Sequence, residues 1–190
     1  IYEKARWSQG GMPIDPIERS ALEFDDDERT AIYEAAWQEG GFRFFRGSFY
    51  DISTNLDANA TASNFIRAKI RETVKDPAIA EKLVPTDHPF ASRRPLIDTD
   101  YFDTYNRDNV TLVDLRETPL KEITPSGIST SDAHYDVDII VYATGFDAMT
   151  GSFKRMDIRG RNGQSLNDKW AAGPVTYLGL QTAGFPNLFM

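Results

Sequence analysis

The chain has 190 residues, of which 41% are hydrophobic and 26% charged, and it contains no cysteine. The absence of cysteine excludes a disulfide framework, a thiolate metal site and a cysteine nucleophile, and it suits a reducing cytoplasm. A formal net charge of −8 argues against a nucleic-acid or anionic-membrane binder. We therefore expect a cytoplasmic protein with no nucleic-acid or membrane partner.

The first part of the chain is predicted to be mainly helical. Carboxylates at Asp25–Glu28 precede an apolar stripe that ends at Gly40-Gly41, as expected for a helix that starts with acidic residues. A later stretch has apolar residues at three-and-four spacing, and Asp76-Pro77 reads as the cap and first position of a short helix. The predicted helices cover about residues 25–39, 59–75 and 77–83.

Near residue 85 the composition changes to proline, glycine, asparagine and β-branched residues. The run Val137–Tyr142 is almost continuously apolar, which predicts a strand buried on both faces of a sheet. The whole pattern predicts a mixed α/β fold, with a helical segment followed by part of a sheet. Further strands are predicted at residues 109–115, 120–123, 128–130 and 175–180, with a turn at 160–163.

Two short motifs could bind a ligand. Ala143–Asp147 follows the predicted buried strand, where small residues would let a cofactor approach the backbone; a tight exit from a strand has the same composition. Arg93-Arg94 stands directly before Pro95 and forms a compact cationic pair on an acidic chain. A solvated basic pair is the alternative interpretation.

Other chemically capable residues are interpreted as structural. His88 and His134 have no spaced carboxylate or second histidine nearby, so no metal site is predicted. The aromatic residues between positions 42 and 50 are interpreted as core packing. The sequence contains no Gly-x-Gly-x-x-Gly, so a dinucleotide-binding fingerprint is absent from it.

The chain resembles the class B flavin-dependent monooxygenases, specifically Baeyer-Villiger monooxygenases of the cyclohexanone and phenylacetone monooxygenase type. The segment Asp138–Asp147, which reads DIIVYATGFD, looks like the linker motif of that family. The resemblance keeps its order over nearly the whole chain. Supporting segments are residues 90–95, 100–110, 157–160 and 170–189.

The resemblance implies an enzyme that uses FAD and NADPH to insert one oxygen atom of O2 into a ketone, giving an ester or lactone through a C4a-peroxyflavin. It implies that Arg93 contacts the 2′-phosphate of NADP, at a position where the family usually has lysine. Arg94 would be the catalytic residue that stabilises the anionic peroxide and adduct. The remaining cofactor-binding residues would be those of the linker: Ala143, Thr144, Gly145, Phe146 and Asp147.

The resemblance also predicts that the chain is a catalytically inactive piece of a flavoprotein with two dinucleotide-binding domains. Residues 1–85 would be a helical insertion of the NADP domain, residues 86–136 the end of that domain and the return linker, and residues 137–190 part of the FAD domain. Two alternatives remain. One is a class B monooxygenase that oxygenates nitrogen or sulfur and would not need the arginine pair; the other is a non-catalytic module that binds a basic partner through Asp25–Glu28.

Overall fold

The computed structural model describes residues 2–8, 11–145 and 147–190. They divide into two compact units, Ile1–Glu122 with Ser129–Ala133 and Ile123–Ile128 with His134–Met190. Residues 86–122 therefore cluster with the helices that precede them. The assignment of residues 1–85, 86–136 and 137–190 to parts of a larger enzyme stays a prediction.

Helices dominate the first unit, and the second unit contains two short ones. In the first unit the helices are α1 (Tyr2–Trp7), α2 (Asp26–Glu39), α3 (Arg43–Gly47), α4 (Leu56–Thr73), α5 (Pro77–Leu83) and α6 (Tyr101–Thr104). In the second unit they are α7 (Gly151–Lys154) and α8 (Leu166–Lys169). Single turns of 3-10 helix lie at Ala21–Glu23 and Arg161–Gly163. No helix in the described part of the chain is both long and apolar enough to cross a membrane.

The three predicted helices are confirmed, and side-chain caps explain where they begin. Asp25 caps α2 by accepting a hydrogen bond from the backbone of Glu28 at 2.8 Å, so the acidic run Asp25–Glu28 is a helix start. Helix α4 begins three residues before the predicted position because Asn55 caps it, accepting from Asp57 N at 2.9 Å. Asp76 caps α5 in the predicted way, with Pro77 in the first turn.

The core of the first unit is aromatic. The ring of Tyr33 lies 5.1 Å from that of Phe44 and 5.3 Å from that of Phe49, measured between centroids. All three residues are buried. The interpretation as core packing therefore holds for Phe44 and Phe49, whereas Tyr50 is 53% exposed. A second cluster joins α4 to α5; its buried members are Ile70, Val74, Ala80 and Val84.

Three short strands form one sheet in the order β1-β2-β3: β1 (Leu120–Thr124), β2 (Gly127–Thr130) and β3 (His134–Asp136). The predicted strands at 120–123 and 128–130 are thus confirmed. Gly127 permits the close approach of its neighbours, because a Cβ there would lie 1.9 Å from Tyr135 O. The mixed fold class is confirmed as helices with a small antiparallel sheet.

The predicted strand at Val137–Tyr142 is wrong. The segment pairs with no strand among the described residues, and Ile139 and Val141 are 80% and 82% exposed. A strand buried on both faces needs layers above and below it and paired strands beside it. The described residues provide no such layers and no paired strands, so the segment is irregular and most of its side chains are exposed.

Two other predicted strands are also wrong. Residues 109–115 are irregular and lead into a turn in which Asp114 O accepts from Glu117 N and Thr118 N. Residues 175–180 form a tight turn closed by a single bridge between Tyr177 and Gln181. In both segments β-branched residues fit a strand locally. The structure instead closes turns beside them through local hydrogen bonds, at Asp114 O and between Tyr177 and Gln181. The predicted turn at 160–163 is confirmed as a 3-10 turn.

The second unit has a small core of its own. Leu166, Trp170 and Phe185 are its buried members, each no more than 2% exposed. The chain passes close to itself beside this core: a Cβ on Gly160 would lie 2.3 Å from Gly184 O. Trp170 and Phe185 are thus packing residues of this unit.

Candidate functional site

The arginine pair lies on the loop that follows α5, between Pro85 and Pro95. Both Arg93 and Arg94 are exposed, and they line a cavity of about 110 Å³. Arg67 of α4 lines the same cavity. The volume is below the roughly 300 Å³ typical of small-molecule pockets, so the cavity is too small to enclose a whole ligand of that kind.

A buried asparagine fixes this loop to α4. Asn59 is 6% exposed, and its amide pairs with both backbone groups of Phe90: Nδ2 donates to Phe90 O at 2.8 Å, and Oδ1 accepts from Phe90 N at 2.9 Å. The Phe90 ring packs edge-on against those of Phe44 and Phe45, at centroid distances of 5.5 and 5.9 Å. The arginines follow this anchor by only three and four residues.

The two arginines have different electrostatic surroundings. Arg93 Nη2 donates to Asp87 Oδ2 at 3.3 Å, and His88 Nδ1 lies 2.6 Å from the other carboxylate oxygen. The hydrogen bond with His88 and, to a lesser degree, the charge of Arg93 lower the pKa of Asp87. Arg94 has no hydrogen bond or ion pair with any residue that the structure describes. Its guanidinium therefore offers all of its donors to a ligand.

The predicted linker residues lie in the second unit, whereas the arginines belong to the first. Ala143, Thr144 and Gly145 are exposed and irregular, and Gly145 has a φ of +86° with no atom near the position of a Cβ. Asp147 forms an ion pair with Arg155. Phe146 lies outside the described residues.

The histidines are held by polar neighbours. His134 Nε2 lies 3.2 Å from Asp136 Oδ1 and 3.2 Å from Ser126 Oγ, and His88 contacts Asp87 as described. Within the described ranges, no three histidine or acidic side chains come together in a way that could hold a metal ion.

The prediction from sequence missed the residues that hold the loop. Asn59, Ser63 and Arg67 follow one another at four-residue intervals along α4 and therefore share one face of that helix. The sequence does contain a sign of these residues, namely a polar stripe along a predicted helix that also carries an apolar face. The residue types alone could not reveal its partner, because the contacts to Phe90 span 31 positions of sequence.

Comparisons with known proteins support the motif-based resemblance, although no protein-family model matches the chain. A Baeyer-Villiger monooxygenase of Pseudooceanicola batsensis is 48% identical over 166 residues, which are 86% of this chain and 30% of the relative. Cyclohexanone 1,2-monooxygenase of Acinetobacter sp. is 47% identical over 172 residues, 90% of this chain and 31% of that protein. The resemblance to the Baeyer-Villiger monooxygenases is confirmed. The chain spans about a third of the length of the curated relatives that it matches.

Two further comparisons bear on cofactors and on the alternative function. The crystal structure of OTEMO in complex with FAD and NADP superposes with a TM-score of 0.92 at 48% identity, covering 98% of this chain and 35% of that one. Phenazine N-monooxygenase PhzNO1 of Lysobacter antibioticus is 49% identical over 192 residues, covering the whole of this chain and 35% of the relative. Overall identity over this region therefore does not separate ketone from nitrogen oxygenation.

Proposed function

We propose that this chain forms part of an FAD- and NADPH-dependent Baeyer-Villiger monooxygenase that inserts one oxygen atom of O2 into a ketone, giving an ester or lactone. The observation that carries the proposal is Arg94: an exposed guanidinium without a partner among the described residues, on a loop that is fixed to the core. It lies in a chain almost half identical to a cyclohexanone monooxygenase. The activity is proposed for the whole enzyme that would contain this chain.

The residues around the cavity fit the 2′-phosphate of NADP. Arg93 and Arg67 both line one small cavity, and guanidiniums bind phosphate oxygens through paired N–H donors. Asp87 holds Arg93 through one nitrogen only, so the other donors of Arg93 remain available for the phosphate. We assign cofactor selection to Arg93 on this basis.

The linker residues Ala143, Thr144, Gly145, Phe146 and Asp147 are proposed to face the cofactors. The open space around Gly145, together with the exposure of Ala143 and Thr144, supports close approach of a ligand to the backbone there. When bound, the flavin supplies the activated oxygen that the reaction needs.

Arg94 would act on the charge that develops during the reaction. Attack on a ketone carbonyl places negative charge on its oxygen, and a cation held beside that oxygen stabilises the charge without reorganising. Arginine suits the task because it stays protonated at every relevant pH. Removing one such group typically lowers kcat about 100- to 1,000-fold.

The test is Arg94→Ala in the complete enzyme, assayed for conversion of cyclohexanone with NADPH. We expect ester or lactone formation to fall roughly 100- to 1,000-fold, while reduction of the flavin by NADPH keeps its rate. Arg116→Ala is the matched control, since Arg116 is also an exposed arginine of the first unit but pairs with Asp114. Near-normal ketone oxygenation by the Arg94→Ala enzyme would show that the assigned role is wrong.

Nitrogen oxygenation is the second candidate, and the 49% identity to a phenazine N-monooxygenase favours it. The unmodified enzyme should be offered cyclohexanone and phenazine in separate reactions. Lactone formation supports the first proposal. An N-oxide product without lactone would support the second and leave Arg94 without the role proposed here.

A further inference from the structure

Helix α4 carries a polar stripe on a face that is otherwise buried. Asn59 and Ser63 are 6% and 7% exposed, and Arg67 follows one turn later. Buried polar side chains reduce stability unless their hydrogen bonds are satisfied. In α4 each of these side chains reaches a partner, and the partners of the stripe include the loop from Pro85 to Pro95.

The amide of Asn59 is fully engaged. Besides its two bonds to Phe90, Nδ2 donates to Ile52 O at 2.6 Å, and Oδ1 accepts from Ser63 Oγ at 3.0 Å. Two donors and two acceptor positions are all that an asparagine amide has. The orientation of the side chain is therefore determined, and with it the position of the Phe90 backbone.

A second contact holds the start of the loop. Arg67 Nε donates to Pro85 O at 2.9 Å, five residues before Phe90. Between Phe90 and the arginine pair, Ala91 has a φ of +63°, a left-handed conformation that alanine adopts only when its surroundings enforce it. The path of the chain into Arg93 and Arg94 thus depends on the anchor at Phe90.

We propose that Asn59 is a positioning residue that sets the place of Arg93 and Arg94 through its paired hydrogen bonds to Phe90. The inference rests on the proposed function, because it concerns the same arginines. None of the hydrogen bonds of Asn59 reaches Arg93 or Arg94, so it would act through the loop. Loss of the amide lets the loop shift, and the arginines then meet the cofactor phosphate and the substrate in the wrong place.

The experiment compares cofactor preference in the complete, flavin-loaded enzyme. The ratio of kcat/KM for NADPH to that for NADH reports on the 2′-phosphate alone, since the two cofactors are otherwise identical. Asn59→Ala should lower this ratio about tenfold or more, the size of losing a charge-assisted hydrogen bond, and should also lower the fraction of NADPH that yields oxygenated product. Val74→Ala, a buried change at the far end of α4, should lower the melting temperature and leave the ratio unchanged.

A double variant separates this proposal from the proposed function. Arg93→Ala alone should lower the NADPH preference, and adding Asn59→Ala should lower it no further if Asn59 acts through Arg93. An unchanged preference in the Arg93→Ala enzyme would refute the cofactor role of Arg93, whatever Asn59 does. A strong effect of Arg93→Ala with an unchanged ratio in Asn59→Ala would overturn the positioning role alone.

Ser63→Ala keeps the test decisive if Asn59→Ala does not fold. It removes the hydroxyl that supports Asn59 Oδ1 and lies 3.3 Å from Phe90 N, while leaving the amide itself in place. We expect about a two- to threefold fall in the NADPH preference, because the two weak neutral hydrogen bonds of this hydroxyl are lost while Asn59 keeps its own bonds to Phe90. If the ratio in Ser63→Ala equals that of the unmodified enzyme, the proposal is contradicted.

Discussion

Replacing Asp51 by alanine should lower the free energy of unfolding by about 2 to 4 kcal/mol. The carboxylate is 4% exposed and accepts two hydrogen bonds, from Ser20 Oγ at 2.6 Å and from Ala21 N at 3.1 Å. Ala21 is fully buried, so its N–H would lose its partner at a cost of about 1 to 3 kcal/mol. The bond from Ser20 to a charged acceptor contributes about 1.5 to 3 kcal/mol, and relief of the buried charge offsets part of the total.

Asp51→Asn is the informative companion. The asparagine oxygen can still accept from Ala21 N, and its amide can donate to Ser20 Oγ, so both contacts survive without the charge. We expect Asp51→Asn to lower the free energy of unfolding by about 1 kcal/mol. Urea unfolding at neutral pH, followed by far-ultraviolet circular dichroism, measures both variants against the unmodified protein. If Asp51→Ala and Asp51→Asn lower the free energy of unfolding equally, the reasoning is refuted. The hydrogen bonds from Ser20 and Ala21 would then contribute nothing beyond the charge of Asp51.

The remaining predictions concern the second unit and an exposed ion pair. Leu166→Ala should lower the free energy of unfolding by about 2.7 to 5 kcal/mol, because Leu166 is 1% exposed in a small core. Leu178 is 78% exposed, so Leu178→Ala should change that free energy by less than about 0.5 kcal/mol in the same urea experiment. Arg116 lowers the pKa of Asp114 to about 2 from an ordinary value of 3.8. This pair therefore stabilises the fold above about pH 4, and its contribution disappears as the pH falls towards 2. An NMR titration of the Asp114 carboxyl should show the low midpoint, and Arg116→Ala should raise it; a midpoint unchanged by the substitution would exclude Arg116 as the cause.

Local chemistry explains why the helices were predictable. The cap at Asp76 and the proline after it act within one turn, and the structure begins α5 at that proline. Apolar spacing alone predicts a later start for α4 than the structure shows, because the cap at Asn55 begins the helix before the first apolar residue of that stripe. Helix caps act over three or four residues, so a short stretch of sequence is enough to predict where a helix begins.

Strands depend on partners that the local sequence does not specify. Val137–Tyr142 has the composition of a central strand, but a strand forms only when neighbours pair along it. Among the described residues only Val137 has a backbone partner outside the segment, donating to Ser126 O at 3.1 Å. The candidate site at Arg93 and Arg94 also depends on a residue that is distant in the sequence. Adjacent basic residues before a proline were visible as an anion-binding candidate, whereas the asparagine that fixes their loop lies 31 positions from its partner.

The central claim is that Arg94 stabilises charge during oxygenation of a ketone, and the yield of product per NADPH consumed tests it most directly. The complete enzyme should be supplied with NADPH, O2 and cyclohexanone, and lactone should be counted against NADPH oxidised. We predict nearly one lactone per NADPH for the unmodified enzyme. Arg94→Ala should continue to consume NADPH yet form almost no lactone, because the proposed role of Arg94 lies in the oxygenation step and not in flavin reduction. Equal yields from the two enzymes would contradict the account.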